Sequence, residues 1–109
     1  MTTRSVTLWA ASLVGRPTGT VFICPIGDNT ILKSIYFNVS VLPVDLAFYL
    51  TRQSVNVYLL NTTLVAGGPT TGRWDGWLVL QPDDHVSCAY TAGQIASWGS
   101  GALLPVPTP

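Results

Sequence analysis

His85 is the single histidine of the chain, and two carboxylates, Asp83 and Asp84, stand directly before it. Ser/His/Asp chemistry needs an imidazole held between an orienting carboxylate and a hydroxyl that it can deprotonate. Carboxylates one and two residues away in a turn do not aim the ring at a distant serine, and no G-x-S-x-G elbow is present. His85 therefore reads as a turn histidine at the start of a strand. Paired-carboxylate catalysis would have to draw on Asp28, Asp45, Asp75, Asp83 and Asp84, because the five acidic residues include no glutamate. Asp28, Asp83 and Asp84 lie in turn signals and Asp75 lies beside Gly76, where turn chemistry accounts for them.

Other chemistries fare no better. The spacing of a calcium loop is missing, and Gly67, Gly68 and Pro69 are followed by neither the lysine nor the helix of a phosphate loop. Cys24 and Cys88, without a CxxC, make no zinc knuckle. They read as two buried thiols, with a disulfide between neighbouring strands as the alternative. No catalytic residue, metal site or cofactor is assigned, and the chain is not read as an enzyme. Four tryptophans remain, Trp9, Trp74, Trp77 and Trp98. Flat aromatics stack on pyranose rings, so a carbohydrate-binding module is the rival reading, against core or contact tryptophans.

The elements that carry these residues are strands. Residues 5–14 alternate so as to place Val6, Leu8, Ala10 and Val14 on one face and Thr7 and Trp9 on the other. Residues 20–24 form a short strand closed by Pro25. In residues 30–41 the odd positions Ile31, Ile35, Phe37, Val39 and Val41 read as core, with Lys33 carrying its ammonium out past the sheet edge. Residues 44–51 and 55–60 form a hairpin across a three-residue connection, Arg52 to Ser54, with Val55, Val57 and Leu59 inward. Residues 61–71 read as irregular, with Leu64 and Val65 tucked under the loop. The stretch 74–84, WDGWLVLQPDD, reads as a strand with a bulge at Gly76 and a turn at Pro82 to Asp84. Strands at 85–91 and 94–104 complete the set, and Gly99 and Gly101 suggest a bulge or a close approach of another backbone.

About eight strands with regular turn signals and no amphipathic helix predict an all-β fold, an antiparallel sandwich of jelly-roll type, with a closed barrel as the alternative. The domain is set at residues 1–104, and 105–109, PVPTP, form a tail that cannot join a ladder.

Composition bounds the partners. Only 9% of the 109 residues are charged and the formal net charge is zero, whereas a soluble domain carries about 25% charged residues. Mean hydropathy is +0.40. A surface so poor in charge predicts coverage by copies of the chain or by other proteins, the alternative being a secreted monomer with a neutral Thr/Ser exterior. Arg4, Arg16, Lys33, Arg52 and Arg73 are scattered, so no basic stripe for nucleic acid exists. No apolar run reaches membrane-spanning length, no signal peptide is recognised, and an outer-membrane barrel would need longer strands with aromatic girdles. Trp9, Tyr36, Tyr49, Tyr58 and Trp98, on non-core faces or near the chain ends, are the expected contact residues.

The segments GTVFICPIGDNTILKSIYFNVS (19–40) and WDGWLVLQPDDHVSC (74–88) resemble the small β-sandwich virion proteins of tailed bacteriophages. In that family a Cys/Ala-Pro-x-Gly turn precedes an I-x-K-S-I strand, and an aromatic-x-G-x-x-V-L-x-P-G-D turn follows later. The likeness covers roughly residues 18–92, and Asp83 stands where the family has glycine. It implies a non-enzymatic, multi-copy component of the virion, assembled in the host cytoplasm. A capsid decoration protein on the head is favoured, with a minor tail, neck or collar component as the alternative. Its partners would be itself, a trimer being favoured, and the major capsid protein or tail and neck proteins.

Overall fold

The computed structural model describes residues 6–14 and 18–105. Their eight strands are β1 (Val6–Val14), β2 (Thr18–Ile23), β3 (Asp28–Val39), β4 (Val44–Arg52), β5 (Val55–Leu64), β6 (Thr71–Leu80), β7 (His85–Tyr90) and β8 (Gln94–Pro105). They form two four-stranded sheets, ordered β1-β8-β3-β6 (sheet A) and β2-β7-β4-β5 (sheet B), with all ladders antiparallel. Consecutive strands up to β4 alternate between the sheets, which is the jelly-roll winding. No helix of the described residues is long and apolar enough to cross a membrane.

The inner faces meet in one core. Leu32, Ile35, Phe37, Leu80 and Ile95 of sheet A pack with Val44, Leu46, Phe48, Val86, Cys88 and Tyr90 of sheet B. Phe37 and Phe48 join the layers with ring centroids 5.9 Å apart. Burying a side chain of this size stabilises by about 1.5–3 kcal/mol, so this layer supplies the main driving force.

Bulges set which residues reach that core. Lys33 is an extra residue between Leu32 and Ser34 in the ladder to β8, and Gly76 and Trp77 bulge opposite it on β6. The bulge switches the phase of β3: before it the even residues Thr30 and Leu32 are fully buried, with Ile31 also buried at 6% exposure, and after it the odd residues Ile35, Phe37 and Val39 are buried. A single odd-numbered core face along β3 is therefore corrected. Lys33 is turned out of the core by the bulge, and its Nζ lies 5.1 Å from the Trp77 ring. Gly101 is required here, because a Cβ on it would stand 1.8 Å from the carbonyl oxygen of Ile31.

A second shift, at Leu8, turns Trp9 inward with Leu13, so the expected phase of β1 is reversed beyond Leu8, which itself packs against the core. Two further readings change. β5 continues through Asn61, Thr62, Thr63 and Leu64, paired with β4, so only 65–70 lie between β5 and β6. Polar β-branched residues suit such an edge. Leu64 packs on the core but Val65 is exposed. The β4–β5 turn is also shorter than expected: Arg52 pairs with Val55, leaving Gln53 and Ser54 at φ 51° and 65°, a two-residue type I′ turn. Leu42-Pro43 is cis. β8 runs to Pro105, opposite Asp28; residues 106–109 of the expected tail lie outside the described residues.

Candidate interaction surfaces

The turn that holds the acidic pair is structural in its geometry. Asp84 is buried and accepts hydrogen bonds from Arg52 Nε at 3.0 Å to each oxygen, from Arg52 Nη2 at 2.6 Å and from the Gln81 N–H at 2.7 Å. Arg52 Nη2 also donates to the Val79 carbonyl at 3.3 Å, tying β4 to β6 across the layers. Burial alone would raise the Asp84 carboxyl pKa. The Arg52 hydrogen bonds, the Gln81 amide and the nearby positive charge outweigh burial and hold it below the ordinary carboxylate value. The Cys24 N–H donates to the Asp84 carbonyl at 2.9 Å, and the Asp83 N–H to the Cys24 carbonyl at 3.0 Å. Asp83, at φ 72°, occupies the left-handed conformation that favours glycine.

His85 is half-buried, and its Nε2 lies 3.7 Å from Asp83 Oδ1. Among the described residues no hydroxyl is hydrogen-bonded to the imidazole, and no cluster of three His, Cys or Asp side chains is placed to hold a metal ion. Cys24 and Cys88 are buried, and no disulfide joins them. The Cys24 sulfur lies 3.2 Å from Thr30 Oγ1, and burial pushes Cys88 up to about 12.

The contact residues expected from sequence separate into three places. Trp9 is not on an outer face: it is 7% exposed, its ring lies 5.6 Å from that of Phe22, and its Nε1–H donates to Ser97 Oγ at 3.0 Å. Tyr49 and Tyr58 pair on the outside of sheet B with centroids 5.6 Å apart. Tyr36 and Trp98 pair on the outside of sheet A, both exposed.

Register resolves the outer face of sheet A into rows that run across its strands. One row is Ala10, Trp98, Tyr36 and Arg73, with the Arg73 guanidinium 5.6 Å from the Tyr36 ring centre. The next is Thr7, Ser100, Ser34 and Asp75, in which Ser34 and Ser100 hydrogen-bond to each other. Between these rows lies a hollow of about 290 Å³ lined by Thr7, Ser34, Tyr36, Trp98, Gly99 and Ser100. Arg73 Nε donates to Asp75 Oδ1 at 2.7 Å, so the charges at the end of the rows neutralise each other.

Trp77, 66% exposed, and Val79 extend this face along β6. Neither was among the expected contacts, although the signal was present: with Leu78 and Leu80 inward, period two turns Trp77 and Val79 outward. Val55 and Val57 were expected inward. They do lie opposite Arg52 and Leu50 on the inner face of sheet B, yet they are 61% and 54% exposed. The sandwich is open along the β5 and β6 edges.

No protein-family model and no curated protein matches the chain. Solved structures do. A chain in the acid-stable capsid of Helicobacter pylori bacteriophage KHP30 superposes with a TM-score of 0.64 at 9% identity, covering 98% of this chain and 100% of that one. The chain has a viral-capsid-like jelly-roll fold. A chain of the T13 particle of infectious bursal disease virus gives 0.61 at 14% identity over 94% of this chain, which spans 30% of that chain's length. The NLP core of Drosophila, described for pentamer formation and histone binding, gives 0.51 at 13% identity, covering 91% and 99%.

Proposed function

We propose that the protein is a non-enzymatic structural component of a virion, a multi-copy decoration protein on the outside of a bacteriophage head assembled in the host cytoplasm. The observation that carries this reading is the capsid-like jelly roll combined with an exterior almost without charge and open along one edge. Copies of the chain meet through that edge. β5, VNVYLLNTTL, has no charged residue, glycine or proline, pairs on one side only, and exposes Val55, Val57 and Tyr58. An unguarded edge of this kind offers backbone N–H and C=O groups to another strand. Tyr49 and Tyr58 then lie at the contact between copies, and Tyr36 and Trp98 face outward from it. The family resemblance favours a trimer, with the major capsid protein as the second partner. A position in the tail, neck or collar is the alternative within the same class.

Light scattering on the purified protein tests the assembly. An oligomer is expected, and a monomer of 11.7 kDa at micromolar concentration would count against the reading. Immunogold labelling of intact particles then separates head from tail. A second reading, attachment to host carbohydrate through surface tryptophans, is favoured by one observation: Trp77 and Trp98 share the outer face of sheet A.

A further inference from the structure

We infer that the hollow between the two rows on sheet A is a binding site for an uncharged pyranose glycan. This inference rests on the carbohydrate reading and assigns it a place and a sugar chemistry. The shape, polar lining and charge of the hollow carry it.

Trp98 and Tyr36 stand side by side across neighbouring strands, giving two aromatic rings for the apolar C–H face of a sugar. Thr7, Ser34 and Ser100 line the same hollow with hydroxyls, which both donate and accept and so match a ring of sugar hydroxyls. Asp75 extends that row, and Asn38 lies beyond the aromatic pair on the other side, opposite Ala96. The volume, about 290 Å³, is at the small end for ligand sites and suits one sugar ring of a longer polymer lying across an open sheet.

Ser34 and Ser100 are bonded to each other, but the polar tips of the two aromatic side chains are free to act. Among the described residues, neither the Trp98 indole N–H nor the Tyr36 hydroxyl is spent on an intramolecular hydrogen bond, in contrast to the core Trp9, whose N–H is held by Ser97. Charge decides the class of sugar. Arg73 is already paired with Asp75 and lies over Tyr36, so an acidic sugar would have to break that pair to gain a partner. Neutral hexoses and N-acetylhexosamines lose nothing.

The test is titration of the purified full chain with neutral oligosaccharides of glucose, galactose and N-acetylglucosamine, and with sialylated and sulfated oligosaccharides, read by tryptophan fluorescence and calorimetry. Binding of a neutral oligosaccharide is expected. Trp98→Ala and Tyr36→Ala should each weaken it about tenfold or more, while Val79→Ala, exposed on the same sheet but outside the hollow, should leave it within about twofold. Trp98→Phe keeps a ring and retains part of the affinity, which separates loss of stacking from loss of fold. Silence of the wild-type chain towards every oligosaccharide overturns the carbohydrate reading as a whole. Binding that survives Trp98→Ala and Tyr36→Ala unchanged, or that favours sulfated or sialylated chains, overturns this site while leaving that reading in place.

Discussion

The two long edges of the sandwich are built differently. Along β1 and β2 the layers are sealed: Trp9 reaches across to Phe22, Leu13 and Val21 pack beneath, and Gly99 leaves room for an indole that would stand 2.3 Å from any Cβ there. Along β5 and β6 the inner-face valines Val55 and Val57 stay largely exposed, and among the described residues a side-chain hydrogen bond across the gap comes from Arg52, at one end. A bulge explains one edge, since the shift at Leu8 is what turns Trp9 inward. Nothing comparable closes the other. The difference teaches that one edge stabilises the subunit while the other leaves apolar side chains and strand-edge groups uncovered, where the proposed contact between copies would fall.

Four variants sharpen this contrast, in decreasing order of effect. Trp9→Ala should cost the isolated subunit about 3–5 kcal/mol in a denaturant titration, because it empties the sealed edge and frees Ser97 from its partner. A cost below about 1 kcal/mol would make the two edges alike.

Arg52→Ala leaves a buried carboxylate without its partner. Loss of a buried pair costs about 3–5 kcal/mol, and since Arg52 is half exposed about 2 kcal/mol is expected. The pH dependence follows from the direction of the Asp84 shift. Its folded pKa lies below the unfolded value, so its contribution is fully present above about pH 4. It is lost as pH falls through the depressed folded value. Thermal unfolding between neutral and acid pH should show this loss in the parent protein and a flatter profile in Arg52→Ala.

The hairpin turn at the open edge carries two non-glycine residues at positive φ. Replacing Gln53 by Asn and Ser54 by Gly together should raise stability by about 1 kcal/mol, and no rise in melting temperature would refute the type I′ assignment. Val57→Lys should change subunit stability least, by no more than about 0.5 kcal/mol, because the side chain already meets solvent. Yet it should dissociate the proposed oligomer in light scattering; an intact assembly would move the contact elsewhere.

The sequence reading of the fold succeeded where alternation was unbroken. β4 has Val44, Leu46, Phe48 and Leu50 on its inner side, as period two requires, and the hairpin and the bulge at Gly76 were equally legible. It failed at Leu8 and Lys33, where one extra residue reverses the phase and no residue type announces the reversal. That is why Trp9 was assigned to the wrong face. For the surface, Trp77 could have been read from its position relative to Leu78 and Leu80. The exposure of Val55 and Val57 could not, because it depends on how far the opposite sheet extends. The row of Tyr36 beside Trp98 was equally hidden, since it arises from the pairing of β3 with β8 across some sixty residues of chain.

The two sealed thiols, finally, give the molecule a clock. Cys24 and Cys88 sit in the core, and Cys88 is held protonated far above neutrality. A thiol reagent added to the native protein therefore waits for an opening event, and the rate at which it reacts counts how often the two layers part.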